Sequence, residues 1–250
     1  MSYKIKFLFI LFIVSISCKK EESITLTSEN FSEEFKGDCK GDNCAKVTID
    51  YIKFEGEKAV ADKINYTIGS SIIYFLNSGL EKKLNASTIT EAATIFIKGY
   101  EADKKEFPDL SPYDAELTVL NSKTSSEIVS VKTRFYSYTG GAHGNSIFSF
   151  LNFDPKTGKI MTTNSIIKNK KEFTDFVEKI FREQNNITEG KNINSTGFWF
   201  ENETFKLPET IGFSETDLVI IYNQYEIASY ADGPIEVLIP MEDAKPYFNF

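Results

Sequence analysis

The chain of 250 residues is 41% hydrophobic and holds 22 phenylalanines and 12 tyrosines, which excludes a disordered polymer and leaves room for one large or two small domains. With 28 basic against 36 acidic residues the net charge is −8; this argues against a nucleic-acid partner, which wants a basic stripe, and favours cationic partners through long-range steering. A single histidine, His143, excludes every zinc site built on two or three histidines.

At the N-terminus, Lys4 and Lys6 precede the apolar run 7–14, and Ser15-Ile16-Ser17 leads into Cys18. A basic start, a short apolar run and a small-residue patch predict a secretory signal peptide over residues 1–17. The run is too short to cross a bilayer, which takes about 20 residues. Ser17-Cys18 resembles the bacterial lipobox. That implies cleavage before Cys18, a lipid on its thiol and a bilayer as partner; the alternative is an ordinary secretory signal with an incidental cysteine. Lys20-Glu21-Glu22 resembles the surface-export signal of Bacteroidetes lipoproteins, and reads equally well as a charged tether. The expected location is therefore the cell envelope, on an outer membrane, facing the periplasm or the outside. Removing Lys4 and Lys6 with the signal takes the charge from −8 to −10.

Residues 18–45 are polar and read as a lipidated tether. Cys39 and Cys44 flank a Gly/Asp-rich loop, and in an oxidising compartment they are expected to pair as a local staple. A zinc site there would need two more ligands, and no histidine precedes position 143. Alternation over residues 47–54 predicts the first strand. Val60, Ile64, Ile68, Ile72 and Leu76 recur at helical spacing, with Gly79 placed as a C-cap. A second helix starts at Thr88, with Glu91 completing a capping box, and must end before Pro108. Three strands are predicted over 115–120, 127–138 and 146–153, the last followed by a turn at Asp154-Pro-Lys-Thr-Gly158. A helix over 170–184 carries Phe173, Phe176, Val177, Ile180 and Phe181 on one face. Strands are then expected over 197–207, 218–222 and 235–239, with a short helix over 241–247. Segregated helices and hairpin-length links indicate an α+β fold with antiparallel sheets.

The search for catalytic chemistry finds no G-x-S-x-G elbow, Walker loop or dinucleotide fingerprint. No cofactor or metal is expected. His143 lies in the glycine-dense loop Tyr138-Thr-Gly-Gly-Ala-His-Gly-Asn145; it serves a site or, on the plainer reading, caps backbone groups. No carboxylate pair stands out among the acids, and the chain reads as a non-enzyme. Phe198-Trp199-Phe200 before Glu201 is either core packing or an exposed aromatic for a sugar or a cation.

Two stretches carry a resemblance. Phe135-Tyr-Ser-Tyr-Thr-Gly-Gly-Ala-His-Gly-Asn145, running on to Asn152-Phe-Asp-Pro-Lys-Thr-Gly158, is one. Tyr222-Asn-Gln-Tyr-Glu-Ile-Ala-Ser-Tyr-Ala-Asp-Gly-Pro-Ile-Glu-Val-Leu-Ile-Pro240 is the other. Together they resemble the signatures of a bacterial extracytoplasmic domain pair of unknown function. The pair is found in the lysozyme-sensing anti-sigma factor RsiV and in the non-catalytic part of the peptidoglycan deacetylase PdaC. Gln224 and Ser229 stand where prolines are expected. The resemblance covers residues 46–248 and implies two α+β lobes, at 46–160 and 161–250. It also implies an extracytoplasmic module alone: only six residues precede the apolar run, and the chain ends at Phe250 with no catalytic domain.

The expected function is a non-catalytic binding module for an envelope ligand, with lysozyme or another cationic protein as the concrete partner. Peptidoglycan or another glycan is the second reading, and a hydrolase using His143 the third. Tyr138, His143, Asn145, Trp199 and Tyr225 are the candidate ligand-binding residues.

Overall fold

The computed structural model describes residues 26–39, 44–78 and 86–250. The expectations for the signal peptide, Cys18, the Lys20-Glu21-Glu22 motif and the Gly79 cap lie outside the described residues.

The N-terminal lobe is a five-stranded sheet with two helices on one face. Its elements are β1 (Thr27–Lys36), β2 (Lys46–Glu55), α1 (Lys58–Ser78), α2 (Ile89–Glu106), β3 (Asp114–Thr124), β4 (Val129–Tyr138) and β5 (Asn145–Phe153). The strands lie in sequence order across the sheet. All neighbours are antiparallel except β2 and β3, which run parallel because α1 and α2 carry the chain back between them. Val60, Ile64, Ile68, Ile72 and Leu76 of α1 are all buried, against Val47, Ile49, Leu117 and Val131 of the sheet. The Glu57 carboxylate accepts from the Ala59 and Val60 N–H groups at 3.2 and 2.9 Å, satisfying donors that the first turn of α1 leaves free. At α2 the Thr88 hydroxyl accepts from Glu91 N–H while the Glu91 carboxylate accepts from Thr88 N–H, the expected capping box.

One correction concerns the segment read as tether. Residues 27–36 form an edge strand whose whole length pairs with β2, from Thr27 opposite Glu55 to Lys36 opposite Lys46. Its sequence, TSENFSEEFK, is polar because an edge strand is held by its hydrogen-bond ladder more than by a buried face; its charges also discourage a further strand from adding. Cys39 and Cys44, which lie in sequence between β1 and β2, are joined by a disulfide, with Cα atoms 5.7 Å apart.

The C-terminal lobe holds α3 (Thr163–Ile166), α4 (Lys170–Gln184), β6 (Ile211–Phe213), β7 (Asp217–Tyr222), β8 (Ile235–Pro240) and α5 (Met241–Ala244). The last three strands make a small antiparallel sheet in the order β6-β7-β8. Asn169 caps α4, its side-chain oxygen accepting from Lys171 and Glu172 N–H. Phe173, Val177 and Phe181 then recur every four residues and are fully buried. Around Phe181 stand Phe198, Phe200, Phe205 and Tyr222, with ring centroids 5.0, 5.4, 5.4 and 5.9 Å away.

The strand expected over 197–207 does not form. That segment is irregular, with a 3-10 turn at Glu201–Glu203 in which Asn202 and Glu203 have φ of 52° and 55°. The Asn194 side chain takes the place of a neighbouring strand: it accepts from Phe200 N–H at 2.7 Å and donates to Phe200 C=O at 2.9 Å. The alternation seen in the sequence is real, since Phe198 and Phe200 pack inward while Trp199 faces out. It belongs to a chain with no strand beside it.

The lobes meet along β5 and β6. A buried network joins them: Ser130 donates to Asn152 at 2.8 Å, Asn152 donates to Ile211 C=O at 2.8 Å, and Phe213 N–H donates to Ser130 at 3.0 Å. Gly212 is needed here, because a Cβ would run into the Phe150 ring. Phe150, Val219 and Ile221 form the apolar part of the same junction.

Candidate functional site

The residues singled out from the sequence converge partly, at one end of the molecule. The β4–β5 hairpin supplies His143, and the loop after β7, residues 223–233, reaches up beside it from the other lobe. Asn223 anchors that loop to the edge of β5: its side-chain oxygen accepts from Phe148 N–H at 2.7 Å and its amide donates to Phe148 C=O at 3.0 Å. The loop is braced internally. Asn223 N–H donates to Glu226 at 2.9 Å, Gln224 donates to Tyr230 C=O at 3.1 Å, and Ser229 and Asp232 form a capping box.

This bracing presents two tyrosines to the histidine. The His143 ring stacks on Tyr230 with centroids 3.9 Å apart. The Tyr225 hydroxyl lies 3.5 Å from His143 Nε2. Tyr230 donates to Gly144 C=O at 2.9 Å, and His143 Nδ1 lies 2.9 Å from the same oxygen. The expectation that the imidazole tends backbone groups thus coexists with a place in an aromatic cluster. Gly144 is required where it stands, since a Cβ would collide with the Tyr136 ring.

Tyr136 extends the cluster across the sheet. Burial raises its phenol above the ordinary value, and the charges of Asp114 and Glu116 and the neighbouring Tyr230 and Tyr138 add to this. Asp114 is itself raised, chiefly by burial, and its Oδ1 is buried without a hydrogen-bond partner among the described residues. The result is an aromatic surface, Tyr136, Tyr230, His143 and Tyr225, bordered by carboxylates. Glu116 is paired with Arg134 at 3.6 Å, while Asp114 keeps one oxygen without a partner among the described residues; rings whose faces carry negative quadrupole beside that carboxylate suit an ammonium or guanidinium group. Arg134 of the same sheet already stands 6.0 Å from the Tyr136 ring.

Tyr225 is 56% exposed and has φ of 66°, a left-handed conformation that bulky side chains rarely adopt. Tyr138 is half-buried and lines a small cavity of about 350 Å³ with Lys46, Tyr113, Asp114 and Tyr136. Asn145 opens β5 opposite Ser137 and is exposed, outside the ring cluster. Trp199 is 46% exposed, and its backbone N–H donates to Ile227 C=O at 3.0 Å, tying this segment to the far side of the 223–233 loop. Tyr230, Tyr136 and Asn223 were not singled out from the sequence. Two signals were available: the Ser229-x-x-Asp232 capping box around Tyr230, and the density of tyrosines in 136–138 and 222–230.

Among the described residues, no group of three or more His, Cys, Asp or Glu side chains is placed to hold a metal ion. No helix of the described residues is long and apolar enough to cross a membrane.

Comparison with known proteins gives two family matches. Residues 39–146 match the family described as "Deacetylase PdaC", and residues 160–242 match "Protein of unknown function (DUF3298)". A crystal structure of a DUF3298 family member from Bacteroides fragilis is similar, with a TM-score of 0.73 at 18% identity, covering 91% of this chain and 95% of that one. A DUF3298 family protein from Pseudomonas aeruginosa aligns with a TM-score of 0.63 at 17% identity, over 91% of this chain and 96% of that one. No curated protein matches the chain significantly.

Proposed function

The chain carries the PdaC and DUF3298 domain pair of unknown function, and from that premise we propose that it is an envelope-anchored, non-catalytic module that binds a cationic protein. The observation that carries this is the aromatic tip, where His143 and Tyr230 from different lobes stack at 3.9 Å beside the exposed Tyr225. A bulky residue held at positive φ by a braced loop is a strain that functional surfaces tolerate. Bracing also lowers the entropy lost on binding. The acidic surroundings match a basic partner, and the net charge of −8 steers it.

Lysozyme is the concrete candidate. Calorimetric titration of residues 19–250 with hen lysozyme at two salt concentrations tests it. Salt-sensitive binding at micromolar affinity or tighter is expected, weakened at least about tenfold by Tyr225→Ala, as befits an aromatic anchor. The absence of heat at either salt removes the lysozyme reading.

We infer attachment to the membrane through an acyl chain on Cys18. Replacing Cys18 with Ala is expected to move the protein from the membrane fraction to the soluble envelope fraction.

A glycan ligand is favoured by one separate observation, the outward-facing Trp199. Binding to purified sacculi that Trp199→Ala abolishes, with lysozyme titrations flat, is the outcome that selects it.

A further inference from the structure

The C-terminal lobe carries a groove of about 860 Å³. That is within the usual size range of ligand pockets. It opens where β6 and β7 stop pairing. Their last paired residues toward it are Ile211 and Ile220; beyond them, residues 204–209 form one wall, and Tyr222, Glu226 and Ile227 form another. The Tyr222 hydroxyl donates to Lys206 C=O at 2.8 Å. A tyrosine side chain, rather than a backbone hydrogen bond, thus sets the separation of the two segments.

The wall at 204–209 is unusual in its backbone. Among the described residues, the N–H groups of Phe205, Lys206, Leu207, Glu209 and Thr210 find no acceptor. Most backbone donors in a folded protein are paired, and a run of free ones beside a groove is what a ligand with carbonyl acceptors can use. The charges are arranged to add direction. Glu226 lies at the exposed edge of the groove, and partial desolvation raises its carboxyl against the lowering effects of Asn223 N–H and Lys206, with Glu209 adding to the rise. An ammonium group placed there relieves both carboxylates. Lys170 stands elsewhere on the rim to receive a carboxylate.

We propose that this groove binds a short peptide with a free amino terminus, its carbonyls accepting from those N–H groups of Phe205, Lys206, Leu207 and Glu209 that face the groove and its ammonium seated by Glu226 and Glu209. Phe205, Leu207 and Ile227 supply apolar wall for small side chains. The site is distinct from the aromatic tip and assigns the protein a second, small ligand.

The test uses tetra-alanine and N-acetyl-tetra-alanine against the full chain in detergent, read by calorimetry and by hydrogen exchange with mass spectrometry. Tetra-alanine is expected to slow exchange over 204–210. The acetylated peptide is expected to bind about tenfold more weakly, the scale of one charge-assisted hydrogen bond. Glu226→Gln, whose amide oxygen can still accept from Asn223, should erase the difference between the two peptides. Thr174→Trp, which fills the groove from α4, should abolish both. Titrating lysozyme and tetra-alanine separately against the unaltered chain tells failure at the aromatic tip and failure here apart. Unchanged exchange over 204–210 at millimolar tetra-alanine overturns the proposal. So does equal affinity for the acetylated peptide, or protection of the segment by N,N′-diacetylchitobiose in place of the peptide.

Discussion

The two lobes reach a packed core by different means. In the N-terminal lobe five strands of nine to eleven residues form a continuous ladder, and aliphatic side chains of α1 fill one face of it. In the C-terminal lobe the sheet has three short strands, and irregular chain is held by rings clustered on Phe181. The first lobe spreads its stability over many backbone hydrogen bonds and small apolar contacts. The second concentrates it in a few large side chains, and that economy of regular structure leaves backbone donors and a groove at its surface.

If this contrast holds, Phe181→Ala is the most damaging single change, costing about 3–5 kcal/mol because the ring has aromatic neighbours on several sides. Ile68→Val in the N-terminal lobe should cost only about 0.5–1.5 kcal/mol, by loss of one methylene from an aliphatic face. Urea denaturation of both variants measures the comparison, and equal losses would break it. The junction comes next. Asn152→Ala strands Ile211 C=O and deprives Ser130 of its acceptor, at about 1–3 kcal/mol. If the lobes unfold as one unit, this variant keeps a single transition; two separate transitions would show that the network is what couples them. Thr88→Ala removes one half of the α2 capping box and should cost about 1 kcal/mol.

The smallest effect expected is on pH dependence. The Asp114 carboxyl is raised by burial, so the folded state binds its proton more tightly than the unfolded chain does. Stability from this group is therefore largest at low pH and is lost as pH rises through the raised value. Asp114→Asn should raise the melting temperature slightly at pH 7, and the gain should vanish as the pH is lowered into the carboxylate range. An equal gain at both pH values would mean that the charge is not the cause.

Regular elements were legible because their periodicity follows from burial alone. The i, i+4 series from Val60 to Leu76 and the series Phe173, Val177, Phe181 announce helices whatever they pack against. Thr88 and Glu91 announce where α2 begins for a local reason, the shortage of acceptors in a first turn. Alternation at 197–207 misled, because period two reports which side chains face inward but not whether another strand lies alongside. β1 was invisible for the opposite reason: it pairs fully while burying little, so its sequence looks like a tether. The parallel register of β2 and β3 likewise depends on how the two helices return the chain.

For the candidate site, local sequence singled out His143, Tyr225, Tyr138, Asn145 and Trp199 one at a time. Their grouping could not be read from it. His143 and Tyr230 are 87 positions apart and belong to different lobes; the reciprocal Asn223–Phe148 bonds and the Tyr230 hydroxyl on Gly144 C=O bring them together. Helices and most strands follow from the order and periodicity of residues, because burial and capping act over a few positions; the two-lobe division was expected only from the family resemblance. The ring stack, the network at Asn152 and the groove beside Tyr222 exist only in the folded molecule, because each is made by side chains that meet across a sheet edge set by long-range register.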